Sequence, residues 1–226
     1  MIEQKKMKII LLQGDSITDA GRSRENDVNL GCGYATLVSA ELGFEEPGKY
    51  EFINRGIGGN RVVDVYGRIN TDILNIAPDV MSILIGVNDI WQYYAQAPNG
   101  TPADRYEKIY DALIEETLAA LPHLKIMIFE PFVLRGSGTY MLGSGGSYER
   151  YDEFRARVSE LSKRAKKIAD KYNIPFIPLQ AGFDELCKQA PDEYWLFDGV
   201  HPTAKGHEFI KREWLKAFRK YILQEG

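Results

Sequence analysis

Short apolar runs alternate along the chain with longer segments that repeat at helical spacing. The runs are of strand length, rich in Ile, Val and Phe, and apolar on consecutive residues. A strand that is covered on both faces should show this pattern rather than strict alternation. The five predicted strands are Lys8–Leu12, Tyr50–Asn54, Val80–Ile85, Ile126–Phe129 and Ile174–Leu179.

The other segments carry apolar residues at three- and four-residue intervals, as amphipathic helices do. We expect one helix to begin at Tyr34 and end at Gly43, because glycine is a favoured helix terminator. A final helix is expected to begin after Thr203. The apolar stripes of three further helices are Val62, Val65, Ile69, Ile73 and Ile76; Tyr106, Ile109, Leu113 and Leu118; and Phe154, Val158, Leu161, Ala165 and Ile168.

This alternation predicts an α/β fold, a three-layer α/β/α sandwich around a five-stranded parallel sheet. No linker or repeat divides the sequence, so a single domain over residues 1–226 is expected. The Gly/Ser-rich segment Arg135–Ser147 is interpreted as a mobile loop over one edge of the sheet. Ligands of such sheets bind at the carboxyl ends of the strands, so the residues that follow each strand are the candidates for chemistry.

Composition and charge narrow the possible partners and location. The net charge is −4 and the Lys and Arg residues are scattered, whereas nucleic-acid-binding proteins usually carry a basic face. The N-terminal apolar run ends after Leu12, too early for a signal peptide, and no stretch approaches the roughly 20 apolar residues of a membrane span. Cys32 and Cys187 are too few for a disulfide framework. We therefore expect a cytoplasmic protein with free thiols and no nucleic-acid or membrane partner.

Three predicted strands are each followed by residues that could take part in catalysis. Ser16 follows the first strand on a Gly-Asp-Ser turn that could point its hydroxyl into a crevice. The loop 54–60, Asn-Arg-Gly-Ile-Gly-Gly-Asn, follows the second, and its glycines let the backbone approach a ligand with its N–H groups. Asn88 follows the third strand and could turn its amide into the same crevice. Singly, a helix-capping serine, a phosphate-binding loop and a turn-stabilising asparagine are open alternatives.

A short loop before the final helix contains Asp198 and, three residues later, His201. An aspartate at this spacing can accept the imidazole Nδ1–H and leave Nε2 free to act as a general base. The alternative is a surface loop with a chance histidine, although the chain has only three histidines. A nucleophile, two oxyanion donors and an oriented base at one sheet edge are together the groups that acyl transfer requires.

With these blocks in this order, the chain resembles the SGNH hydrolase superfamily, the GDSL-type esterases and lipases. The matching blocks are Gly-Asp-Ser at 14–16, Asn-x-Gly-x-x-Gly at 54–59, Gly-x-Asn-Asp at 86–89 and Asp-x-x-His at 198–201. They span nearly the whole chain. The resemblance implies a flavodoxin-like SGNH hydrolase fold and a serine esterase that needs no metal and no cofactor.

The resemblance also implies a role for each matching residue. Ser16 corresponds to the nucleophile, and its backbone N–H to one oxyanion donor. Gly59 and Asn88 correspond to the other two donors, although the glycine alignment could slip by one residue. His201 corresponds to the general base, and Asp198 to its partner.

The residues in and around these blocks, at 14–22, 30–34 and 86–91, resemble the intracellular acetylxylan and xylo-oligosaccharide esterase branch of the superfamily. That resemblance implies hydrolysis of a short acyl ester, acetyl above all, on a small carbohydrate-like molecule. The candidate platforms for a sugar ring include Trp91, Tyr93, Trp195 and Phe197, and Arg55 is a candidate polar contact. For the aromatic residues a loop core or a subunit interface is an equal alternative, and for Arg55 a solvated charge.

Two other functions stay open at this point. A lysophospholipase or thioesterase would use the same triad on a longer acyl chain, and a non-catalytic module would bind a ligand on the same sheet. A small-molecule ester is the expected partner. Exposed aromatic residues also make a homo-oligomer possible.

Overall fold

The computed structural model describes residues 7–94, 98–140 and 149–223. The strands are β1 (Lys8–Gly14), β2 (Tyr50–Asn54), β3 (Val80–Leu84), β4 (Lys125–Phe129) and β5 (Phe176–Ile177). The helices are α1 (Ser16–Asp19), α2 (Tyr34–Glu45), α3 (Val62–Gly67), α4 (Val87–Trp91), α5 (Ala103–Ala120), α6 (Ser137–Tyr140), α7 (Glu149–Lys171), α8 (Gln180–Leu186), α9 (Asp192–Trp195) and α10 (Ala204–Ala217), with π-helical turns at Asn70–Leu74 and Phe218–Ile222.

The five strands form one parallel sheet in the order β2-β1-β3-β4-β5. From β1 the chain first moves to one side, then returns across β1 and continues outward through β3 to β5. Right-handed crossovers place α2 on one face and α3, α5 and α7 on the other. The contacts between helices agree with this division into two faces, because α2 contacts α10 while α5 contacts both α3 and α7. The carboxyl ends of β1 and β3 therefore form the switch point at which open α/β sheets bind ligands.

Both faces of the sheet are covered, as consecutive apolar residues predicted. Ile10, Leu11 and Leu12 of β1 have no exposed surface. Burial of each such aliphatic side chain stabilises the fold by roughly 1.5–3 kcal/mol. The predicted five-stranded α/β architecture is confirmed.

The last strand is much shorter than predicted. The apolar run Ile174–Leu179 contributes only Phe176 and Ile177 to the sheet. Pro175 and Pro178 flank these two residues, and proline has no N–H to donate to a strand ladder. The prediction that the whole run is a strand was therefore wrong.

Two predicted helices also end elsewhere. The helix that begins at Tyr34 continues through Gly43 to Glu45, just before Pro47, so Gly43 does not terminate it. The stripe that begins at Val62 is divided between α3 and the π-helical turn at Asn70–Leu74.

The buried face of α5 is rotated from the predicted stripe, since Ile109 and Leu118 are only half-buried. Its buried residues are Tyr106, Tyr110, Leu113, Ile114 and Thr117. The predicted loop Arg135–Ser147 contains the short helix α6, and its remaining residues 141–148 lie outside the described residues.

In the part of the chain that the structure describes, no helix is both long and apolar enough to cross a membrane.

Candidate active site

Ser16 lies directly beyond the carboxyl end of β1, as the first residue of α1. Asp15 caps this helix, because its Oδ1 accepts the Ile17 N–H at 2.9 Å. The N–H of a first helical residue has no acceptor within the helix, so that of Ser16 is free to face a ligand. The turn also needs Gly14, since a Cβ there would lie 2.5 Å from the Leu84 carbonyl oxygen.

His201 and Asp198 lie on the loop between α9 and α10. Asp198 Oδ1 accepts the N–H groups of Val200 and His201 at 2.9 and 2.7 Å, which fixes the carboxylate against the backbone. Its Oδ2 is 2.7 Å from His201 Nδ1. The chain turns between them at Gly199, whose φ of 89° favours glycine.

The three predicted catalytic side chains meet at the switch point. Ser16 Oγ is 2.9 Å from His201 Nε2, although 185 residues separate them in sequence. A proton on Nδ1 satisfies the Asp198 carboxylate, which leaves Nε2 as an acceptor for the serine hydroxyl. The arrangement can therefore remove a proton from Ser16 as it attacks an electrophile.

The electrostatics of the pair suit this chemistry. The hydrogen bond to Asp198 raises the pKa of His201 above its usual range, against the opposing effect of burial. Burial acts to raise the pKa of Asp198, but hydrogen bonds from the His201 side chain and from the backbone of His201 and Val200 outweigh it and leave that pKa lowered. Asp198 is thus ionised and can stabilise a positive charge on the imidazole of His201.

The glycine loop lies next to the serine, and its two adjacent glycines differ in their hydrogen bonds. The Gly58 N–H donates to Asp19 Oδ2 at 3.0 Å. The Gly59 N–H has no acceptor among the described residues. The φ of Gly59 is 81°, and a Cβ there would meet nothing within 4 Å, so this position borders open space. These contacts favour Gly59 over Gly58 as an oxyanion donor.

Asn88 lies at the start of α4, beyond the end of β3. One of its amide hydrogens is donated to the Asn60 carbonyl at 3.1 Å. This bond fixes the side chain and leaves the second amide hydrogen for a ligand.

Two buried acids support the loops around the site. Burial raises the pKa of Asp15 to about 7, and it likewise raises the pKa of Asp89 to about 7. Asp89 Oδ2 accepts the N–H of Val62, the first residue of α3, at 3.1 Å. Both carboxyls accept backbone N–H groups and so hold the geometry of the turns beside the site.

Two aromatic rings flank the imidazole of His201. The Trp91 ring lies edge-on, with its centroid 6.2 Å away, and the Phe197 ring stacks against the imidazole at 5.7 Å. Phe197 is 59% exposed, so most of its ring is open to a ligand. The sequence had indicated Phe197 as a candidate platform, because it directly precedes Asp198, and its ring does lie against the imidazole.

The other three candidate substrate contacts have their described contacts elsewhere. Tyr93 packs against Tyr94 and Arg157. Trp195 lines a groove beside α10 together with Tyr194.

Arg55 is engaged in an ion pair with Asp27 and lies 3.9 Å from Asp72. None of these contacts supports a substrate role for Tyr93, Trp195 or Arg55, so for these three that role stays a prediction. Among the described residues, no group of three or more His, Cys, Asp or Glu side chains could hold a metal ion.

Replacing Asn88 with alanine is expected to lower kcat for the predicted ester hydrolysis by about 10²–10³-fold, because it removes a predicted oxyanion donor. Steady-state hydrolysis of 4-nitrophenyl acetate measures this effect. Asn70→Ala is a suitable control, since Asn70 is exposed and lies on the π-helical turn outside the site. Near-native kcat in Asn88→Ala would exclude Asn88 as a donor.

The sequence of this chain is similar to those of known proteins. Residues 12–209 match the GDSL-like lipase/acylhydrolase family. The chain is 32% identical over 217 residues to the acetylxylan esterase of Geobacillus stearothermophilus, and the match covers 92% of both chains.

Solved structures give the same indication. A GDSL-like lipase of Parabacteroides merdae superposes with a TM-score of 0.83 at 36% identity, covering 94% of this chain and 96% of the other. The Geobacillus stearothermophilus acetylxylan esterase superposes with a TM-score of 0.80 at 30% identity, covering 92% and 93%.

Proposed function

Because the chain belongs to the GDSL-like lipase/acylhydrolase family and is a carboxylic ester hydrolase, we propose that it removes a short acyl group, acetyl above all, from a small carbohydrate-like substrate through an acyl-enzyme on Ser16. The observation that carries the proposal is the continuous chain of hydrogen bonds from Ser16 Oγ through His201 to Asp198. This constellation is recognised by geometry and works on unrelated folds.

The reaction has two steps. In the first, Ser16 Oγ attacks the ester carbonyl carbon while His201 Nε2 takes the hydroxyl proton. The tetrahedral oxyanion accepts hydrogen bonds from the N–H groups of Ser16 and Gly59 and from the Asn88 amide. The intermediate collapses, the bond to the alcohol oxygen breaks, and His201 gives its proton to the leaving alcohol.

In the second step, water replaces the alcohol. His201 takes a proton from the water as its oxygen attacks the acyl carbon of the acyl-enzyme. Collapse of the second tetrahedral intermediate breaks the bond to Ser16 Oγ, which recovers a proton from His201. The carboxylic acid leaves, and the free enzyme is restored.

Two observations support a short acyl group on a sugar-like alcohol. The similar Geobacillus stearothermophilus protein is an acetylxylan esterase, and variants of it in which a serine or an aspartate is replaced by alanine are described as catalytic mutants. In this chain Trp91 and Phe197 flank His201, the group that must protonate the leaving alcohol. Aromatic rings at this point could stack on the apolar face of a sugar ring.

The acyl preference can be measured with 4-nitrophenyl esters of acetate, butyrate and octanoate. We expect kcat/KM for acetate to exceed that for octanoate by at least about tenfold, because a site shaped for a small group rejects a longer chain. The Ser16→Ala variant gives the background rate. A preference for octanoate would favour a lysophospholipase or thioesterase instead.

The alcohol preference needs a second comparison, in which acetylated xylo-oligosaccharides are measured against other acetyl esters. Faster release of acetate from the oligosaccharides would support the carbohydrate class. We further propose that the partner is a small-molecule ester rather than a nucleic acid or a membrane. The cytoplasmic location and the possible homo-oligomer stay predictions.

A further inference from the structure

Asp19 is the last residue of α1, and its carboxylate reaches the glycine loop. Residues three apart on a helix are neighbours, so its side chain lies beside Ser16. A Cβ at Gly58 would be 3.7 Å from Ser16 Cβ and 3.8 Å from Asp19 Oδ2. The Gly58 N–H donates to the same Oδ2 at 3.0 Å. The carboxylate therefore binds the loop at the point where the loop meets the predicted nucleophile.

The same segment of chain holds the loop at a second point. The Gly56 carbonyl accepts hydrogen bonds from Arg22 Nε at 2.8 Å and from Arg24 Nη1 at 3.0 Å. Arg24 also forms an ion pair with Asp19. Arg24 and Asp19 therefore hold the loop together: Arg24 donates to the Gly56 carbonyl, and Asp19 accepts the N–H of Gly58, two residues further on.

This double attachment decides which of the two neighbouring N–H groups of the loop is left without a partner. Because Asp19 occupies the Gly58 N–H, the orientation of the peptide unit before Gly58 is fixed. The following peptide unit carries the Gly59 N–H, which has no acceptor among the described residues. The N–H that is left without a partner is the one that the predicted mechanism needs.

The charges around Asp19 are compatible with an oxyanion nearby. An isolated carboxylate beside Ser16 would repel the negative charge that develops on the substrate oxygen. The guanidinium of Arg24 compensates that charge, and the Asp19 side chain is only 13% exposed. The pair can therefore orient the loop without opposing the reaction.

We propose that Asp19, supported by Arg24, is a positioning residue that aligns the Gly59 N–H with the oxyanion. This proposal rests on the proposed function, because it assigns Asp19 a part in acyl transfer at Ser16. Oxyanion donors contribute most when they are held in place before the reaction begins. Asp19 acts on the substrate only through the loop.

The test compares Asp19→Ala and Asp19→Asn with the wild-type protein. With 4-nitrophenyl acetate, Asp19→Ala is expected to lower kcat by about 10²-fold while KM changes by less than about threefold. Affinity for an arylboronic acid, which forms a tetrahedral adduct with an active-site serine, should fall in parallel. Asp19→Asn should recover kcat to within about tenfold of wild type, because its amide oxygen can still accept the Gly58 N–H.

Asp27→Ala is the matched control. Asp27 lies on the same segment and also pairs with an arginine, Arg55, but it accepts no hydrogen bond from the glycine loop backbone. Its replacement should leave kcat within about threefold of wild type. If Asp19→Ala does not fold, Arg24→Met takes its place, because it removes the Asp19 ion pair and one donor to Gly56. For Arg24→Met we expect kcat and boronic acid affinity to fall together by about tenfold.

Three outcomes would overturn the role of Asp19. These are an unchanged kcat in Asp19→Ala or its Arg24→Met substitute, a fall in kcat without a fall in boronic acid affinity, and an Asp19→Asn variant no more active than Asp19→Ala. Failure of the proposed function is a separate result: a wild-type protein without esterase activity, whose Ser16 a fluorophosphonate does not label.

Discussion

Replacing Ser16 with alanine is expected to lower kcat for 4-nitrophenyl acetate by about 10⁴–10⁶-fold, because no nucleophile is left to form the acyl-enzyme. The oxyanion donors and substrate binding would still provide a small residual rate. The fold should be unaffected, since the Ser16 hydroxyl bonds only to His201 among the described residues. Thermal unfolding of the variant can confirm this.

A fluorophosphonate provides an independent measurement. It should add covalently to the wild-type protein at Ser16 and leave Ser16→Ala unmodified, which intact-mass and peptide mass spectrometry can establish. Ser159→Ala is a suitable control, because Ser159 is exposed on α7. This variant should be fully active and should still be labelled. Near-native hydrolysis by Ser16→Ala would rule out the acyl-enzyme at this residue.

Replacing Asp198 with asparagine is expected to lower kcat by about 10³–10⁴-fold. The asparagine Oδ1 can still accept the N–H groups of Val200 and His201, so the loop should keep its shape. Its amide group, however, would stand where Oδ2 now accepts from His201 Nδ1. The amide would donate to Nδ1, and the imidazole proton would then lie on Nε2, where it prevents His201 from acting as a base.

The same replacement should also change how kcat/KM depends on pH. His201 can act as the proposed base only when it is neutral, so we expect kcat/KM to fall as the pH drops below its pKa. In the wild-type protein the hydrogen bond to Asp198 raises the pKa of His201. Loss of the carboxylate removes this effect, so the acidic limb of the profile should move to lower pH in the variant.

Profiles of kcat/KM against pH for both proteins measure the shift. Asp170→Asn serves as a control, because Asp170 pairs with Lys166 on an exposed face of α7 and should not move the limb. An acidic limb that stays in place in Asp198→Asn would show that this carboxylate does not set the pKa of the catalytic base.

The pattern of apolar and polar residues along the chain was sufficient to predict the α/β architecture. Consecutive apolar residues indicated strands buried on both faces, and the intervening helical spacing indicated crossovers, which together imply a parallel sheet. The candidate catalytic residues could be found because parallel strands bring their carboxyl ends to one edge. Ser16 and Asn88 each follow a strand, and Asp198 and His201 lie on the loop before the last helix. These features are local in sequence, and so a single sequence can report them.

Other features depended on neighbours that are distant in sequence. Whether Gly58 or Gly59 has a free N–H is decided by Asp19, nearly 40 residues earlier, whose carboxylate occupies one of them. The place of Phe197 against His201 likewise depends on how a short loop folds back on itself. Sequence by itself determined the order of the main strands and helices and which residues could react, since burial periodicity and turn chemistry are local properties. Only the tertiary structure decided which N–H groups and rings face the crevice, because hydrogen bonds between distant segments exist only once the sheet has brought those segments together.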